Sequence, residues 1–315
     1  MEEIDQIFKS TQNQLENLGD PRATVEDQRA YLFELSQSFQ AFVKASAGGN
    51  YNSTFFDDAN TDPGYQQRIR AVVQNLNEDF ASTIALRGHY RQVVDSTSAL
   101  ISAKDSVVIQ ITKDKFIAYI EQLMRRTRGC ELPGTFNPMI VADLFLEQSR
   151  PWEAIARRHV EQTWLAASRF LDLVLAHIAD ETTAKALQHE VFEPAMRDIR
   201  KNMGDKTSEL LNPHQSRHPI TYNPSFTTTL QNVRHKRRKA EREAILTRFF
   251  KTESPRSCFL NGTYDLGSLA DLLAESGAPD MKRHAASEAM DCLDAYYKVS
   301  FSDRVLVYFR CFFHN

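Results

Sequence analysis

Glycine and proline are scarce in this chain, with 11 of each among 315 residues. Because both residues interrupt helices, their scarcity favours long helical segments. No uncharged apolar run approaches the roughly 20 residues that a membrane-spanning helix needs. Any membrane contact is therefore expected to be peripheral.

Cysteine pairs and excess positive charge are also missing. The four cysteines form no C-x-x-C pair, which predicts neither a zinc site nor a disulfide framework and favours reduced thiols. The acidic N-terminal segment MEEIDQIFKS has no secretory signal pattern, so a cytoplasmic location is expected. A net charge of −3 argues against a general nucleic-acid binder and predicts no nucleic-acid partner.

Apolar residues recur at three- and four-residue spacing through most of the first 180 residues, which predicts a series of amphipathic helices. A first stripe runs through Ile4 to Leu18. A long loop rich in glycine, asparagine and aspartate is expected at 48–64, where it would be functional or disordered. Asn137 and Pro138 suit a helix start, and Pro151 predicts a kink or a corner in the helix that follows.

The helical pattern continues to the end of the chain with two interruptions. A stripe from Leu187 to about Leu211 is interrupted by Pro194, and three prolines between 212 and 226 predict a non-helical connector. Further helices are expected at 228–250 and around 286–297. No long period-two alternation is present, so the predicted fold is all-α, an elongated antiparallel helical bundle.

Three short patterns resemble sites of known chemistry without meeting its requirements. Residues 204–207 (Gly-Asp-Lys-Thr) lack the first glycine, the loop length and the preceding strand of a phosphate loop. Residues 112–115 (Thr-Lys-Asp-Lys) have lysine where a guanine-reading motif requires aspartate. His214 and His218 have helical metal-ligand spacing, but prolines flank them, and an ordered connector is favoured. The sequence thus predicts no catalytic, cofactor-binding or metal-binding residue.

One dense basic run lies within the helical segment predicted at 228–250. Its cations are Arg234, Lys236, Arg237, Arg238, Lys239 and Arg242. A solvated helix face and a contact for an anionic surface are equally compatible with this pattern, and nuclear import or RNA binding also remains open.

Residues 128–137 (RGCELPGTFN) resemble the R-G-x-E-L-P-G-F motif of Mx-type dynamin-like GTPases. The helix with Pro151, the segment at 212–223 and the segment at 287–299 also resemble that family, in its stalk, its stalk tip and the opening of its GTPase effector domain. The similarity covers residues 1–299.

The resemblance implies a stalk domain organisation. Residues 1–228 would be middle-domain helices, 229–278 a basic helix and linker near the tip, and 279–299 the start of the effector helix. Residues 300–315 do not match the family and form a divergent, apolar tail.

By the same resemblance, the chain would be a self-assembly stalk that forms homo-oligomers or co-assembles with a full-length dynamin-like GTPase. Assembly would couple to GTP hydrolysis and membrane remodelling. The assembly loop would consist of Arg128, Gly129, Glu131, Leu132, Pro133 and Gly134. GTP and Mg²⁺ would belong to a GTPase head expected before residue 1, so this chain alone is not expected to be an enzyme. The alternative function is a peripheral membrane adaptor that binds anionic lipid through 234–242.

Overall fold

A computed structural model describes residues 24–94, 109–132, 134–216, 223–251, 264–275 and 280–300. It is mostly helical, which confirms the predicted all-α class. The predicted stripe at Ile4–Leu18 and the apolar tail after Ser300 lie outside the described residues. In chain order the elements are α1 (Val25–Gly48), α2 (Asp62–Gln66), α3 (Ile69–Arg87), β1 (Arg91–Val94), β2 (Ile109–Thr112), α4 (Lys113–Arg126), α5 (Met139–Gln148), α6 (Pro151–Ile178), α7 (Glu181–Leu187), a π-helix (Gln188–Phe192), α8 (Glu193–Ser216), α9 (Ser225–Phe250), α10 (Leu266–Glu275) and α11 (Met281–Ser300).

The chain divides into two compact units. Unit 1 consists of residues 1–82 and 154–209, and unit 2 consists of residues 83–153 and 210–315.

In unit 1, helix α1 begins with a reciprocal cap. The Thr24 hydroxyl accepts a hydrogen bond from the Asp27 N–H at 3.1 Å, and the Asp27 carboxylate accepts one from the Thr24 N–H at 3.2 Å. This capping box satisfies two of the N–H groups that a helix start leaves unpaired. At the other end, Gly49 adopts φ 76°, a left-handed conformation that glycine reaches without a Cβ penalty.

The segment that the sequence predicts as a functional or disordered loop is ordered in the structure and anchored to unit 1. Phe55 is 1% exposed and packs against Phe170 and Val174 of α6. The Gln67 side chain donates a hydrogen bond to the Asp57 carboxylate at 2.9 Å and accepts one from the Asp57 N–H at 2.7 Å. A buried aromatic and a paired amide therefore give this segment a packing role.

Proline shapes the later helices of the chain in different ways. Helix α5 ends at Gln148 and α6 begins at Pro151, so the expected corner forms there. Before Pro194 the helix widens into a π-turn, in which the Glu193 N–H reaches the carbonyl of Gln188. Because proline has no N–H and its ring would meet the carbonyl four residues back, the wider turn accommodates it without ending the helix. The predicted connector at 212–226 is wrong in its first part, since α8 extends through Pro213 to Ser216.

In unit 2, helix α11 is largely buried and packs against α4, α5 and α9. Its alanines at 285, 286, 289 and 295 are at most 2% exposed and allow neighbouring helices to approach closely. Trp152 Nε1 donates a hydrogen bond to the Tyr297 hydroxyl at 2.8 Å, which satisfies a polar group inside the aromatic core.

A two-stranded parallel sheet in unit 2 is an addition to the predicted fold. Strands β1 and β2 pair from Arg91 opposite Ile109 to Val94 opposite Thr112. On the other side of β1, the Gln148 side chain takes the place of a third strand. Its carboxamide accepts a hydrogen bond from the Arg91 N–H at 3.2 Å and donates one to the Arg91 carbonyl. Four-residue strands are too short to show a period-two pattern in the sequence.

Candidate assembly loop and basic helix face

The candidate assembly loop connects α4 to α5 and is held by its own hydrogen bonds. The Gly129 N–H donates to the Glu131 carboxylate at 2.7 Å. Hydrogen bonds from the backbone N–H groups of Glu131 and Gly129 hold the pKa of this carboxyl below its usual value. Thr135 closes the turn, because its N–H and its hydroxyl both donate to the Leu132 carbonyl, at 3.1 and 2.8 Å.

Gly134 is favoured at its position by its backbone conformation. Its φ of 86° lies in the left-handed region that favours glycine. A Cβ there would meet the methyl end of Met281, at the start of α11, but this exposed and flexible side chain can move aside. The predicted turn at the end of the motif is thus seated directly against α11. Pro133 lies outside the described residues.

The seated loop presents an apolar side chain to solvent. Leu132 is 74% exposed, and Arg128 is also exposed beside it. Burying this side chain against a partner would contribute roughly 1.5–3 kcal/mol.

The basic run on α9 divides into an inward and an outward part. Arg237 has a side chain only 10% exposed, and its Nε donates to the Asp291 carboxylate of α11 at 2.8 Å. A second nitrogen of its guanidinium donates to Glu288, which also pairs with Arg234 at 2.5 Å. Arg234 and Arg237 therefore join α9 to α11 through a partly buried ion network.

The other four cations of the run point outward. Lys236, Arg238, Lys239 and Arg242 are exposed and form no ion pair within the part of the chain that the structure describes. At about 100° per residue they fall within an arc of about 160° on one side of α9. Four cations of the run are therefore available to contact an anionic surface. The other two, Arg234 and Arg237, belong to the ion network between α9 and α11.

The sequence patterns set aside above have ordinary structural surroundings. Residues 204–207 lie inside α8, where Lys206 pairs with Glu209 at 2.9 Å. His218 lies outside the described residues, so its pairing with His214 has no structural counterpart. In the described ranges, no group of three histidine, cysteine, aspartate or glutamate side chains is placed to hold a metal ion. No helix of those ranges is both long and apolar enough to cross a membrane.

Sequence reasoning missed the acidic partners of the basic run. Glu288 and Asp291 are three residues apart in the otherwise apolar stripe of α11, and Asp291 is 5% exposed. Carboxylates on the buried face of a predicted helix could have indicated these ion pairs, since buried acids are almost always paired.

Comparison of the chain with family models, with curated proteins and with solved structures found no match. The candidate sites of the described residues are therefore defined by geometry alone, that of the loop and that of the basic helix face.

Proposed function

We propose that this chain is a helical self-assembly module of the kind represented by the dynamin-type stalk, and that copies of it associate through the loop of Arg128–Gly134. The observation that carries the proposal is Leu132, 74% exposed at the tip of a loop that hydrogen bonds and Gly134 hold rigid. A preorganised contact loses little conformational entropy on association.

The dynamin resemblance extends this proposal beyond the loop. In it, assembly of the module regulates a GTPase that provides the catalytic head, either fused to this sequence or as a separate full-length partner, and so contributes to membrane remodelling. The elongated antiparallel bundle of that family is part of the same proposal. Small-angle X-ray scattering tests it, because a compact domain of this length would have a radius of gyration of about 20 Å and an elongated bundle a clearly larger one.

Sedimentation velocity of the purified chain at low salt tests the assembly step. Wild-type protein should show concentration-dependent oligomers, and Leu132→Asp and Arg128→Asp should shift them toward the monomer. Leu86 provides a matched control, because it is 76% exposed in the same unit but lies on α3, away from the loop. A strict monomer at all concentrations, or an equal loss of assembly in Leu86→Asp, would refute the proposal.

A second function is favoured by the four outward cations of α9. A cation near an anionic membrane surface contributes about 1 kcal/mol, so this face could hold the chain on anionic lipid as a peripheral adaptor. Here Arg237 is a structural residue, and the relevant variant reverses Arg238, Lys239 and Arg242 to glutamate.

Co-sedimentation with vesicles of phosphatidylserine and phosphatidylcholine distinguishes this second function. The triple reversal should weaken binding by more than about 100-fold, from about 3 kcal/mol of lost attraction. A control with the same net charge reverses Lys44, Lys115 and Lys201, which are exposed on three different helices, and it should bind nearly as well as wild type. Equal loss in both variants would mean that net charge matters and the α9 face does not.

A further inference from the structure

A second feature of unit 2 is a partly open cavity of about 190 Å³ next to the small sheet. Its apolar walls come from Val93 of β1, Phe116 of α4 and Leu293 of α11. Cavities of about 150 Å³ with apolar walls bind benzene, so this one has room for an aromatic ring and a short substituent. Neither the assembly loop nor the basic helix face contributes to it.

One side of the cavity is a rigid aromatic wall. The His89 ring stacks on the Tyr297 ring with centroids 4.4 Å apart, and the Tyr297 hydroxyl is held by Trp152. Burial lowers the pKa of His89, so this imidazole is neutral at physiological pH and adds no positive charge to the cavity.

The Asp294 carboxyl faces the cavity without a partner. In the part of the chain that the structure describes, no group donates a hydrogen bond to it and no cation lies within ion-pair distance. Lys298, one turn further along α11, lines the cavity and is exposed at its rim, but it does not pair with this carboxyl. A partly desolvated carboxylate without a partner costs free energy that an incoming cation would recover.

We propose that this cavity binds a small organic amine. Its ammonium group pairs with the Asp294 carboxylate, and its apolar body fills the space between Val93, Phe116 and Leu293. The ring of an aromatic amine lies against the neutral His89 and Tyr297 wall. The ammonium belongs to a free small molecule or to a lysine of a second copy of this chain, and the experiment separates these two sources.

The neighbouring charges set the pH dependence of binding. Burial raises the pKa of Asp294 to about 6, while Lys298 of α11 and Lys113 of α4 oppose this increase and Asp291 adds to it. Because the ammonium pairs with the ionised carboxyl, affinity is full above that pKa and falls as the pH decreases through it. At pH 5 the carboxyl is about one-tenth ionised, so affinity should be about tenfold lower than at pH 7.5.

Titration of the full chain with benzylamine, followed by calorimetry and ligand-observed NMR, tests the proposal. Benzyl alcohol and benzoate are the neutral and anionic probes of similar size. Benzylamine should bind at least tenfold more tightly than either. Asp294→Asn should abolish that preference, and Lys298→Met should increase benzylamine affinity because it removes a competing cation. Asp143→Asn, an exposed carboxyl on α5, is the matched control and should change nothing.

Three outcomes would overturn the proposal: equal binding of the amine and the alcohol, unchanged binding by Asp294→Asn, or no binding on the order of 10 mM benzylamine. Asp294→Asn removes a partly buried charge, so it should fold, and circular dichroism checks that it does. If benzylamine dissociates oligomers that Asp294→Asn also fails to form, the natural ammonium is a lysine of a second copy. If oligomers are unaffected, it is a free amine.

Discussion

Acidification should destabilise unit 1 through one buried histidine. His159 on α6 is 2% exposed, and its ring stacks on Phe80 with centroids 4.6 Å apart. Burial lowers the pKa of this imidazole from 6.5 to about 4, because the protonated form would lose its hydration.

The sign of the effect follows from the two pKa values. Above pH 6.5 the imidazole is neutral in both the folded and the unfolded chain, and stability is full. As the pH falls below 6.5, the His159 imidazole becomes protonated in the unfolded chain but stays neutral in the folded chain. The free energy of unfolding therefore decreases until the folded form is protonated as well, near pH 4. At 1.36 kcal/mol per pH unit the total loss is about 3 kcal/mol, of which about 2 kcal/mol is lost by pH 5.

Urea unfolding followed by circular dichroism between pH 7.5 and 5 measures this loss against the variant His159→Leu, which cannot take up the proton. The difference in unfolding free energy between wild type and variant should move by about 2 kcal/mol against the wild type at the acidic end. The exposed His189 is an informative control, because its contact with Glu190 raises the pKa of its imidazole and gives His189→Leu a small effect of opposite sign. If wild type and His159→Leu lose equal stability over this range, the burial argument is refuted.

Three further substitutions test the loop, the ion network and the sheet by thermal or urea unfolding. Gly134→Ala should destabilise by about 1–2 kcal/mol because of its positive φ, whereas Gly204→Ala, in a helix interior with open space around it, should stabilise by about 0.5–1 kcal/mol; the same sign for both would contradict the reasoning. Arg237→Met should cost about 3–5 kcal/mol because it leaves the buried Asp291 carboxylate unpaired and Glu288 with Arg234 alone, and Arg238→Met should change stability by less than about 0.5 kcal/mol. Gln148→Glu should cost about 1–3 kcal/mol because a carboxylate cannot donate to the β1 carbonyl, and a neutral result would mean that the carboxamide does not support the sheet.

The sequence predicts best those helices whose apolar spacing and capping residues all lie within or next to the helix itself. The stripe at 286–297 lies in α11, and its residues at Ala286, Met290, Leu293 and Tyr297 are all buried. The Asn-Pro pair at 137 and 138 correctly predicted a helix start. In the structure the Asn137 side chain accepts a hydrogen bond from the Met139 N–H at 3.0 Å. In both cases the relevant partners are near in sequence.

The features that sequence reasoning missed depend on residues far apart in the chain. Which face of α9 turns inward is decided by Glu288 and Asp291, more than 50 residues later. The sheet depends on Gln148, 57 residues from the strand that it completes. Asp294 was indistinguishable from any other acid on a helix until the cavity around it was known. Long-range pairing of this kind leaves no periodic trace in a single sequence.

The predicted stripe from Leu187 to about Leu211 is wrong only in its middle, for a different reason, while Leu187 and Met203 are partly buried and Leu211 is buried as expected. Val191 and Ile199 are 54% and 47% exposed, although their spacing marks them as core residues. The row that turns inward is displaced by one position, to Phe192 and Met196. The π-turn before Pro194 adds a residue to one turn, so a straight helical wheel loses its phase there.

That π-turn also restricts which insertions and deletions the segment at 188–192 can tolerate. Deleting one codon between 188 and 192 would restore a regular turn and rotate everything on one side of it by about 100°. The Gln188 contact with Asp172, at the start of the turn, and the Arg200 contact with Glu161, beyond it, could then no longer both be kept. Insertions and deletions should therefore be excluded from this short segment more strictly than substitutions are.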